Sequence, residues 1–592
     1  MKKIVLLLLL LCSSLIVAQN EQLAQNYFDK GDFEKAKISF EELLKAQPYN
    51  AYFFQRIIEC NQQLQLLDVA EKSIKDRYQQ YQQSNLLVEL GCNYLLKKDD
   101  INAKKYFNEA LDKIRKNVNE VYNVASTFER KSQIELAIQS YELALTLESK
   151  FNFNFQLGQL YGQIGKTDLM IEKYLVEAYT NPQNSVLVQN QFTRFMTEDA
   201  DVKFNEALRK ALILRTQQSQ DVFWNDYLSW FYVQQKEFGK AFIQQKAIYK
   251  RNPETFFNIL NLAQLAKEDG DKETAIAIYT FVLDNTKDLE LLIQSHTYLM
   301  NIRIDTALEK DYPTIATEID NLLKEFGISP YSLPLQILQA HFTAFNLKNP
   351  EIGKNILKTA LALPLNEYQK AEVKMELGDI YLFEEKFNQA LIYYSQIEED
   401  LKNDVVGHEA SLKVAKTSYF KADFTWAQKQ FKELKSASTQ LIANDALEYF
   451  LLINDNTAAD STLTALKVLA QADYLVYQNK NQEALTKYQA MLKSFKGQEI
   501  EAVTLYRLGK MHEKLGDYTL SLVQYQNIID QHKECIYVDE AYYFAAEIYS
   551  KQVKDVEKAK SYYEQIIFHH EDSIYFTDAR KKYRQLRGDT TL

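Results

Sequence analysis

The chain has 592 residues, of which 46% are hydrophobic and 13% aromatic, and its formal net charge is −11 at pH 7. No basic run interleaved with aromatic residues stands out in this acidic sequence, so nucleic acid is not expected as a partner. Only 15 Gly and 8 Pro residues occur. Such a shortage of turn-forming residues over a long chain indicates helices that are joined by short connections.

The first residues have the pattern of a secretory signal peptide. Lys2 and Lys3 precede an apolar stretch from Ile4 to Val17, which is 14 residues long, whereas a helix needs about 20 residues to cross a bilayer. Ala18 is the small residue after which signal peptidase cuts, so we predict cleavage after Ala18. The mature protein is then expected to be periplasmic or outer-membrane-associated, or secreted, and no later run predicts a transmembrane segment.

The cysteines do not predict a disulfide framework. Cys12 follows Leu11, where a lipidation motif requires a small residue, so we expect no lipid anchor at Cys12. Cys60, Cys92 and Cys535 remain after signal cleavage, an odd number without a CxxC motif. We therefore predict three buried or half-buried thiols.

A small residue recurs at steps of 33 or 34 in the first part of the chain, and at steps that are mostly 37 or 38 in the last part. This column consists of Ala36, Ala70, Ala103, Ala137, Met170, Ala241, Ala275, Gly353, Ala390, Ala427, Ala484, Ser521 and Ala559. A second small-residue column lies twelve residues earlier, at Ala24, Gly91, Ala125, Gly158, Ala263, Gly378, Ala415, Ala472 and Gly509. Aromatic rings follow the first column by four residues, at Phe40, Phe107, Tyr141, Tyr174, Tyr279, Tyr394, Phe431, Tyr488, Tyr525 and Tyr563.

These columns predict a tandem array of helical hairpins, in which small residues of the first helix admit the rings of the second. A left-handed residue and a helix N-cap are expected between the two helices. Three Gly-Asp pairs stand at that place: Gly31-Asp32, Gly270-Asp271 and Gly516-Asp517. The step from Ala427 to Ala484 is 57 residues long, which indicates an irregular insertion.

The period, the two small-residue columns, the ring column and the closing prolines Pro48, Pro182 and Pro253 resemble the consensus of the tetratricopeptide repeat (TPR) family. The last units, which end in 573–580, resemble the repeats of periplasmic TPR proteins that serve envelope assembly. The resemblance implies an all-α fold, a tandem helical-hairpin solenoid that forms a superhelix and binds other proteins on its inner face.

The predicted division of the chain has five parts. They are a signal peptide at 1–18, an N-terminal TPR array at 19–290, an irregular helical connector at 291–350, a C-terminal TPR array at 351–588 and a tail at 589–592. The connector is placed where half of all prolines fall, at Pro313, Pro330, Pro334 and Pro350. The residues at about 180–225 also depart from the repeat pattern, but both stretches are expected to remain mostly helical.

Several motifs resemble functional sites, but the repeat explains them better. Residues 158–167 end like a phosphate-binding loop, yet Leu160 stands where that loop requires glycine. His512 lacks the second histidine of a zinc-binding helix, because the fourth residue after it is glycine. The acidic and histidine-rich 569–572 falls in an inter-repeat turn, and Arg587-Gly588-Asp589 ends the last helix. The sequence therefore predicts no catalytic residue, no metal site and no cofactor, and the protein is not expected to be an enzyme.

The resemblance to the TPR family also identifies candidate binding residues, which lie three before, two before and one after a small residue of the first helix. They are Tyr122, Asn123, Ser126, Phe155, Gln156, Gln159, Leu260, Asn261 and Gln264. Side-chain amides can hydrogen-bond the main chain of a bound segment, and rings add apolar contact that does not depend on one sequence. The alternative, that these residues are only solvated helix faces, stays open.

The first hypothesis is an exported TPR scaffold that mediates protein–protein interactions in the cell envelope and binds peptide or protein segments of envelope components in its concave groove. The alternative is a helical ligand- or glycan-capturing protein of nutrient uptake. Such proteins usually carry a lipobox and long loops around a site, and this sequence has neither. A hydrolase would need a large non-repeat domain, but the longest unmatched stretch is about 60 residues.

Overall fold

The computed structural model describes residues 20–197, 202–437, 439–459 and 463–588, and within these residues the chain contains helices and no strand. The predicted signal peptide, with Cys12, and the predicted tail at 589–592 lie outside the described residues. Contacts divide the chain into two compact units, 1–224 and 225–592.

The first unit is a succession of antiparallel helices. They are α1 (20–29), α2 (Phe33–Ala46), α3 (Ala51–Gln63), α4 (Leu67–Tyr81), α5 (Asn85–Leu96), α6 (Asp100–Lys116), α7 (Val121–Arg130), α8 (Ile134–Leu147), α9 (Asn154–Gln163), α10 (Thr167–Thr180), α11 (Ser185–Thr197) and α12 (Val202–Gln218). The boundary between the units falls within α13 (Val222–Gln234). The described residues near 180–225 are therefore mostly helical, as predicted.

The second unit continues the same architecture. It contains α14 (Phe238–Arg251), α15 (Phe257–Glu268), α16 (Lys272–Asn285), α17 (Leu289–Thr306), α18 (Tyr312–Phe326), α19 (Leu333–His341), α20 (Pro350–Ala360), α21 (Glu367–Phe383), α22 (Phe387–Asp400), α23 (Val405–Phe420), α24 (Phe424–Ala437), α25 (Gln440–Ala459), α26 (Thr464–Tyr477), α27 (Asn481–Ser494), α28 (Ile500–Lys514), α29 (Tyr518–Gln531), α30 (Val538–Ile548), α31 (Val556–His569) and α32 (Phe576–Arg587). The predicted all-α fold of tandem helical hairpins is confirmed.

The two helices of a hairpin are joined by a tight turn with one left-handed residue. Gly31, Gly270 and Gly516 adopt φ values of 77°, 84° and 80° at this place, as the Gly-Asp pairs predict. Other copies put a non-glycine residue there, for example Gln65 with φ 58° and Lys98 with φ 61°. The turn is thus a property of the repeat, and glycine makes it less strained without being required.

The aspartate that follows the left-handed residue is a side-chain cap in only one of the three pairs. The Asp271 carboxylate accepts a hydrogen bond from the Thr274 backbone N–H at 3.0 Å. The Asp32 and Asp517 side chains form no such bond, so the prediction of an N-cap position was right but the capping bond is not general. Asp32 instead pairs with Lys35 at 2.6 Å.

All three sequence columns lie in the core. Every described member of the ring column is buried, and so are both columns of small residues. The ring of Tyr174 on α10 occupies the space beside Gly158 on α9, because a Cβ at Gly158 would lie 2.7 Å from the ring. The glycine of the apparent phosphate-binding loop is therefore a packing residue, and Gly165 is the left-handed turn residue, with φ 70°.

The region of the predicted connector is helical throughout α17 to α20. Pro313 and Pro334 are the second residues of α18 and α19, and Pro350 is the first residue of α20. Proline is tolerated in the first turn of a helix because its missing N–H has no partner there in any case. Three of the four prolines thus start helices, and the fourth, Pro330, lies in the loop between α18 and α19.

The 57-residue step contains an additional helix, α25, which is 20 residues long. It packs along α24, and the next hairpin, α26 with α27, is held elsewhere. The Tyr474 hydroxyl of α26 donates a hydrogen bond to the Leu382 carbonyl at 2.6 Å, and the Gln478 side-chain amide donates to the Phe383 carbonyl at 2.9 Å. These bonds attach the hairpin to the end of α21, more than 90 residues earlier in the chain.

The described cysteines are free, as predicted. Cys60 and Cys92 are buried and Cys535 is half-buried. Burial raises the pKa of the Cys60 thiol to about 11 and the pKa of the Cys92 thiol to about 12. At neutral pH both are uncharged packing groups, not reactive thiolates.

Candidate functional site

The nine predicted binding residues lie on three first helices, α7 and α9 in the first unit and α15 in the second. None of the nine side chains is fully buried. Their accessibility fits a binding face. A solvated helix face would be equally accessible, so the hydrogen bonds of the side chains are the better criterion for a binding face.

On α7 the aromatic residue is accessible, but the polar residues have partners. Tyr122 is 57% exposed and packs edge-on against Phe153, with ring centroids 5.5 Å apart. The Ser126 hydroxyl donates to the Tyr122 carbonyl at 2.5 Å, so its donor is satisfied within the helix. The Asn123 side-chain amide donates to the Glu120 carboxylate at 3.4 Å, a long and exposed bond that a ligand could replace.

On α9 the two predicted side-chain amides have no hydrogen-bond partner among the described residues. Gln159 is exposed and Gln156 is half-buried. Phe155 is half-buried against Tyr174, at a centroid distance of 5.5 Å. This helix therefore presents two amides beside one ring whose position is fixed by the core.

In the second unit one of the three predicted residues lines a large cavity. Gln264 lies at the edge of a cavity of about 570 Å³, whereas Leu260 and Asn261 lie outside its lining. The Gln264 side-chain amide donates to Glu268 at 2.8 Å on the exposed side of α15. The other lining residues are Lys267, Tyr279, Glu290, Ile293, Gln294, Thr297, Tyr298, Asn301, Pro330, Tyr331, Leu333, Pro334, Gln369 and Glu372.

This cavity, called here the Gln264 cavity, combines amide and aromatic side chains from several helices. Gln294 and Asn301 of α17 are both exposed to it. The Tyr279 and Tyr298 rings lie 4.3 Å apart, and Tyr331 is 66% exposed. Amides offer both a donor and an acceptor, and the rings offer apolar surface, so the cavity can hold an extended main chain.

The sequence missed most of this cavity. The residues on α17 were not predicted because the small-residue column is not continued there. In addition, the prolines at 330 and 334 indicated a break in the binding face. The side-chain amide of Gln369 on α21 donates to the Pro330 carbonyl at 3.3 Å and joins the loop to the array. A signal existed in α17, where Gln294, Thr297 and Asn301 recur at a spacing of three and four residues on one helix face.

The corresponding face is chemically different further along the second unit. Asp379, one residue after Gly378, accepts a hydrogen bond from the Tyr394 hydroxyl at 2.5 Å and pairs with Lys413 at 2.6 Å. Asp473, one residue after Ala472, accepts a hydrogen bond from the Tyr419 hydroxyl at 2.9 Å. The position that the TPR resemblance marks as a ligand contact is thus occupied by carboxylates that bind neighbouring repeats.

A hydrogen bond from tyrosine to a carboxylate recurs in both units. Five tyrosines of the ring column donate to an acidic residue 12 to 16 positions earlier: Tyr141 to Glu129, Tyr394 to Asp379, Tyr488 to Asp473, Tyr525 to Glu513 and Tyr563 to Glu547. Burial and the partner's charge raise the pKa of each of these hydroxyls. The hydroxyls therefore stay protonated and act as donors.

His512 and His569, which belong to the motifs considered in the sequence, are both helix residues. His512 is buried in α28, with its Nδ1 3.8 Å from Asp517, and His569 is the last residue of α31. Across the described ranges, no group of three or more His, Cys, Asp or Glu side chains is arranged to hold a metal ion. No helix in the same ranges is both long and apolar enough to cross a bilayer. Gly588 ends α32 in the left-handed conformation, with φ 79°, as the predicted helix stop.

Three segments match family models of the tetratricopeptide repeat. One model matches residues 469–533, and a second matches residues 20–50 and 539–567. Comparison with curated proteins gives no match. Tetratricopeptide repeats mediate protein–protein interactions, and proteins that carry them are typically non-catalytic scaffolds.

Solved structures with similar arrangements include three helical proteins. The yeast Tom70 crystal structure is 12% identical, with 85% of this chain and 96% of that chain covered at a TM-score of 0.28. A chain of the Cut9–Hcn1 hetero-tetramer of APC/C is 11% identical over 95% of both chains, at a TM-score of 0.25. A chain of Naa15/Naa10 bound to HypK-THB is 13% identical over 96% of this chain and 92% of that chain, at a TM-score of 0.23. Similarity at these TM-scores does not bear on function.

From the family models and the confirmed hairpin fold, the chain is an all-α protein with tetratricopeptide repeats near both ends of its tandem array.

Proposed function

We propose that the protein is an exported scaffold of the cell envelope, which binds peptide or protein segments of other envelope proteins along the accessible face of its first helices. The observation that carries this proposal is the Gln264 cavity, where amide and tyrosine side chains from successive helices converge on one space of about 570 Å³. Export rests on the predicted signal peptide at 1–18, and the role is binding and not catalysis.

The chemistry of the cavity favours an extended segment over a charged one. Gln264, Gln294 and Asn301 can each donate to a main-chain carbonyl and accept from a main-chain N–H. Lys267 is the one cation among the lining residues, and Glu290 and Glu372 are the anions. Such a lining offers main-chain hydrogen bonds without demanding a particular charge in the ligand.

The repeats from α21 onward also favour binding at the Gln264 cavity, because the corresponding side chains there are already bonded within the protein. Asp379 there already accepts a bond from the Tyr394 hydroxyl of its own hairpin, and Asp473 accepts one from the Tyr419 hydroxyl of α23. A ligand that approached these carboxylates would have to replace buried charge-assisted bonds, which stabilise more than neutral ones. A ligand at the Gln264 cavity replaces solvent-exposed bonds, such as the one from Gln264 to Glu268.

In-cell crosslinking of the exported protein, followed by mass spectrometry of the crosslinked partners, tests the proposal. The test variant combines Gln264→Ala, Gln294→Ala and Asn301→Ala, which removes three exposed amides of the cavity. The matched control combines Asn285→Ala, Asn321→Ala and Asn355→Ala, three exposed amides on α16, α18 and α20 that do not line the cavity. We expect at least one envelope protein to be crosslinked to wild type and control but lost from the test variant.

Both variants must keep the helical circular dichroism signal and the urea midpoint of the wild type for the comparison to count. A test variant that is folded and keeps every partner would contradict binding at the Gln264 cavity. Absence of any protein partner for the wild type would contradict the scaffold role, and recovery of the protein only from the cytoplasm would contradict export.

A further inference from the structure

The hairpin of α26 and α27 differs from the others of the second unit in what precedes it. In the regular array the first helix of a hairpin packs along the second helix of the hairpin before it, as α23 does with α22, α28 with α27 and α30 with α29. The helix before α26 is α25, and α25 packs along α24 instead. α26 itself contacts α23 and, through Tyr474, the end of α21, while its side that carries Val468 and Leu475 stays only half-buried.

This side of the hairpin forms the floor of a cleft of about 960 Å³, called here the α26–α27 cleft. Val468 and Leu475 of α26 and Ala490 and Met491 of α27 line it. On α26, Val468 and Leu475 are seven residues apart and lie on one helix face, whereas on α27 Ala490 is exposed and the next residue, Met491, is buried. The cleft is thus a groove between two antiparallel helices.

One end of the cleft is closed by aromatic side chains from earlier repeats. Phe387 and Phe420 pack against Tyr474, with ring centroids 5.3 and 5.4 Å apart. Both phenylalanines are only half-buried and line the cleft. A groove with an apolar floor and an aromatic end wall is suited to the apolar side chains of a third helix, which is how a helix fits between two others.

The charges around the cleft indicate the kind of helix. Lys421 donates to the Asn388 side-chain oxygen at 3.0 Å, and Lys487 donates to the Gln471 side-chain oxygen at 2.7 Å. Both lysines have neutral partners and form no ion pair among the described residues, so their charges are available to an acidic ligand.

Lys467 also lines the cleft, as do two carboxylates, Glu385 and Glu483. Three lysines and two glutamates give the lining a formal net charge of +1. The lining is therefore slightly basic in a protein whose overall charge is −11. A ligand with acidic residues near Lys421 and Lys487 would complement it.

We propose that the α26–α27 cleft binds an amphipathic α-helix of a partner protein, with apolar residues on one face and acidic residues beside them. The partner helix lies along the accessible side of this hairpin, which the contacts of α26 with α23 leave open. This surface is separate from the Gln264 cavity, and none of its lining residues is shared with that cavity. The protein then has two binding surfaces of different chemistry in one unit.

The test uses the full chain and a fluorescein-labelled synthetic peptide that forms an amphipathic helix, with leucines on one face flanked by glutamates. Fluorescence anisotropy compares it with a scrambled peptide of the same composition and with a peptide in which lysines replace the glutamates. We expect the acidic helix to bind at least about tenfold more tightly than either comparison peptide, a difference of roughly 1.4 kcal/mol.

Two variants locate the binding. Val468→Glu with Ala490→Glu places charge on the cleft floor and should weaken binding of the acidic helix at least about tenfold. Gln482→Glu with Gln489→Glu adds the same charge on exposed positions of α27 outside the cleft and should leave binding unchanged. Lys421→Glu with Lys487→Glu should reverse the preference, so that the basic helix binds more tightly.

Equal binding of the scrambled peptide, or no binding of the acidic helix to the folded wild-type chain, would overturn the proposal. So would a folded Val468→Glu, Ala490→Glu variant that keeps wild-type affinity. A concentration-dependent dimer in sedimentation, lost in the same variant, would assign the cleft to a second copy of the chain and would also overturn it.

Discussion

Gly509 on α28 lies against the ring of Tyr525 on α29, so closely that a Cβ at Gly509 would be 2.7 Å from Tyr525 Cε1. The same tyrosine donates its hydroxyl to Glu513 on α28 at 3.0 Å. Glycine therefore sets the distance between the two helices, and the hydrogen bond fixes the ring that fills the space. The relationship explains why the two sequence columns keep a constant offset of 16 residues.

We expect Gly509→Ala to destabilise the second unit, although alanine has the better helix propensity. The methyl group must displace a buried ring, and overpacking of this kind costs about 1 to 3 kcal/mol. Urea unfolding followed by circular dichroism measures the loss. Gly239→Ala is the control, because a Cβ there would meet only Thr274 Oγ1 at 3.4 Å; it should be neutral or slightly stabilising. Equal effects of the two substitutions would contradict the close-packing account.

Arg507 is expected to hold the additional helix α25 in place. Its guanidinium lies 2.7 Å from Glu448 of α25 and 3.8 Å from the buried Asp473 of α26. Arg507→Met would leave a buried carboxylate without its nearest cation, so we expect a loss of about 3 kcal/mol in the free energy of unfolding.

A double-mutant cycle with Glu448→Gln measures how much of that loss belongs to the pair. The control is Lys348→Met, which removes an exposed pair with Glu309 at 3.7 Å and should change stability by less than about 1 kcal/mol. A loss at Arg507 no larger than the loss at Lys348 would show that the pair does not anchor α25.

Glu540 is expected to make stability depend on pH. Burial, together with the charges of Glu448 and Asp539, raises the pKa of the Glu540 carboxyl to about 8, against the opposing effect of Arg507 and Lys510. Between its ordinary pKa and this value, the folded protein keeps a proton that the unfolded chain has released. Stability should therefore fall as the pH rises through this window.

Glu540→Gln removes this titration, so the variant should lose less stability than wild type between pH 5 and pH 9, by up to about 4 kcal/mol, or about 1.4 kcal/mol for each of roughly three pH units. Urea midpoints at several pH values in that range give the comparison. Glu557→Gln, an exposed substitution on α31, should follow the wild-type profile. Parallel profiles for wild type and Glu540→Gln would rule out Glu540 as the source of the pH dependence.

The predicted export can be checked on the protein itself. Expression with the complete sequence in a secreting host should give a mature chain that begins at Gln19, as read by N-terminal sequencing. Ala18→Tyr should block processing, because signal peptidase requires a small residue at that position, and the precursor should accumulate. A secreted chain that still begins at Met1 would show that 1–18 is not a cleaved signal.

Much of the fold followed from the sequence because each repeat buries the same residue types at the same spacing. Ala137, Gly158 and Tyr174, for example, were assigned to the core from their columns alone, and all are buried. The candidate site was less predictable. Gln264 was found through the repeat, but Gln294 and Asn301 were not, because α17 lacks the small residue by which the positions were counted.

The sequence by itself determined the hairpin, its period and its core, since these depend on contacts between residues only 12 to 16 positions apart that every copy repeats. Tertiary structure alone decided where α25 packs and which faces stay accessible. Tyr419 reaches Asp473 across 54 residues, and Tyr474 reaches Leu382 across 92. These contacts join positions that the repeat does not relate and leave no periodic signal, so the α26–α27 cleft beside them is visible only in the folded molecule.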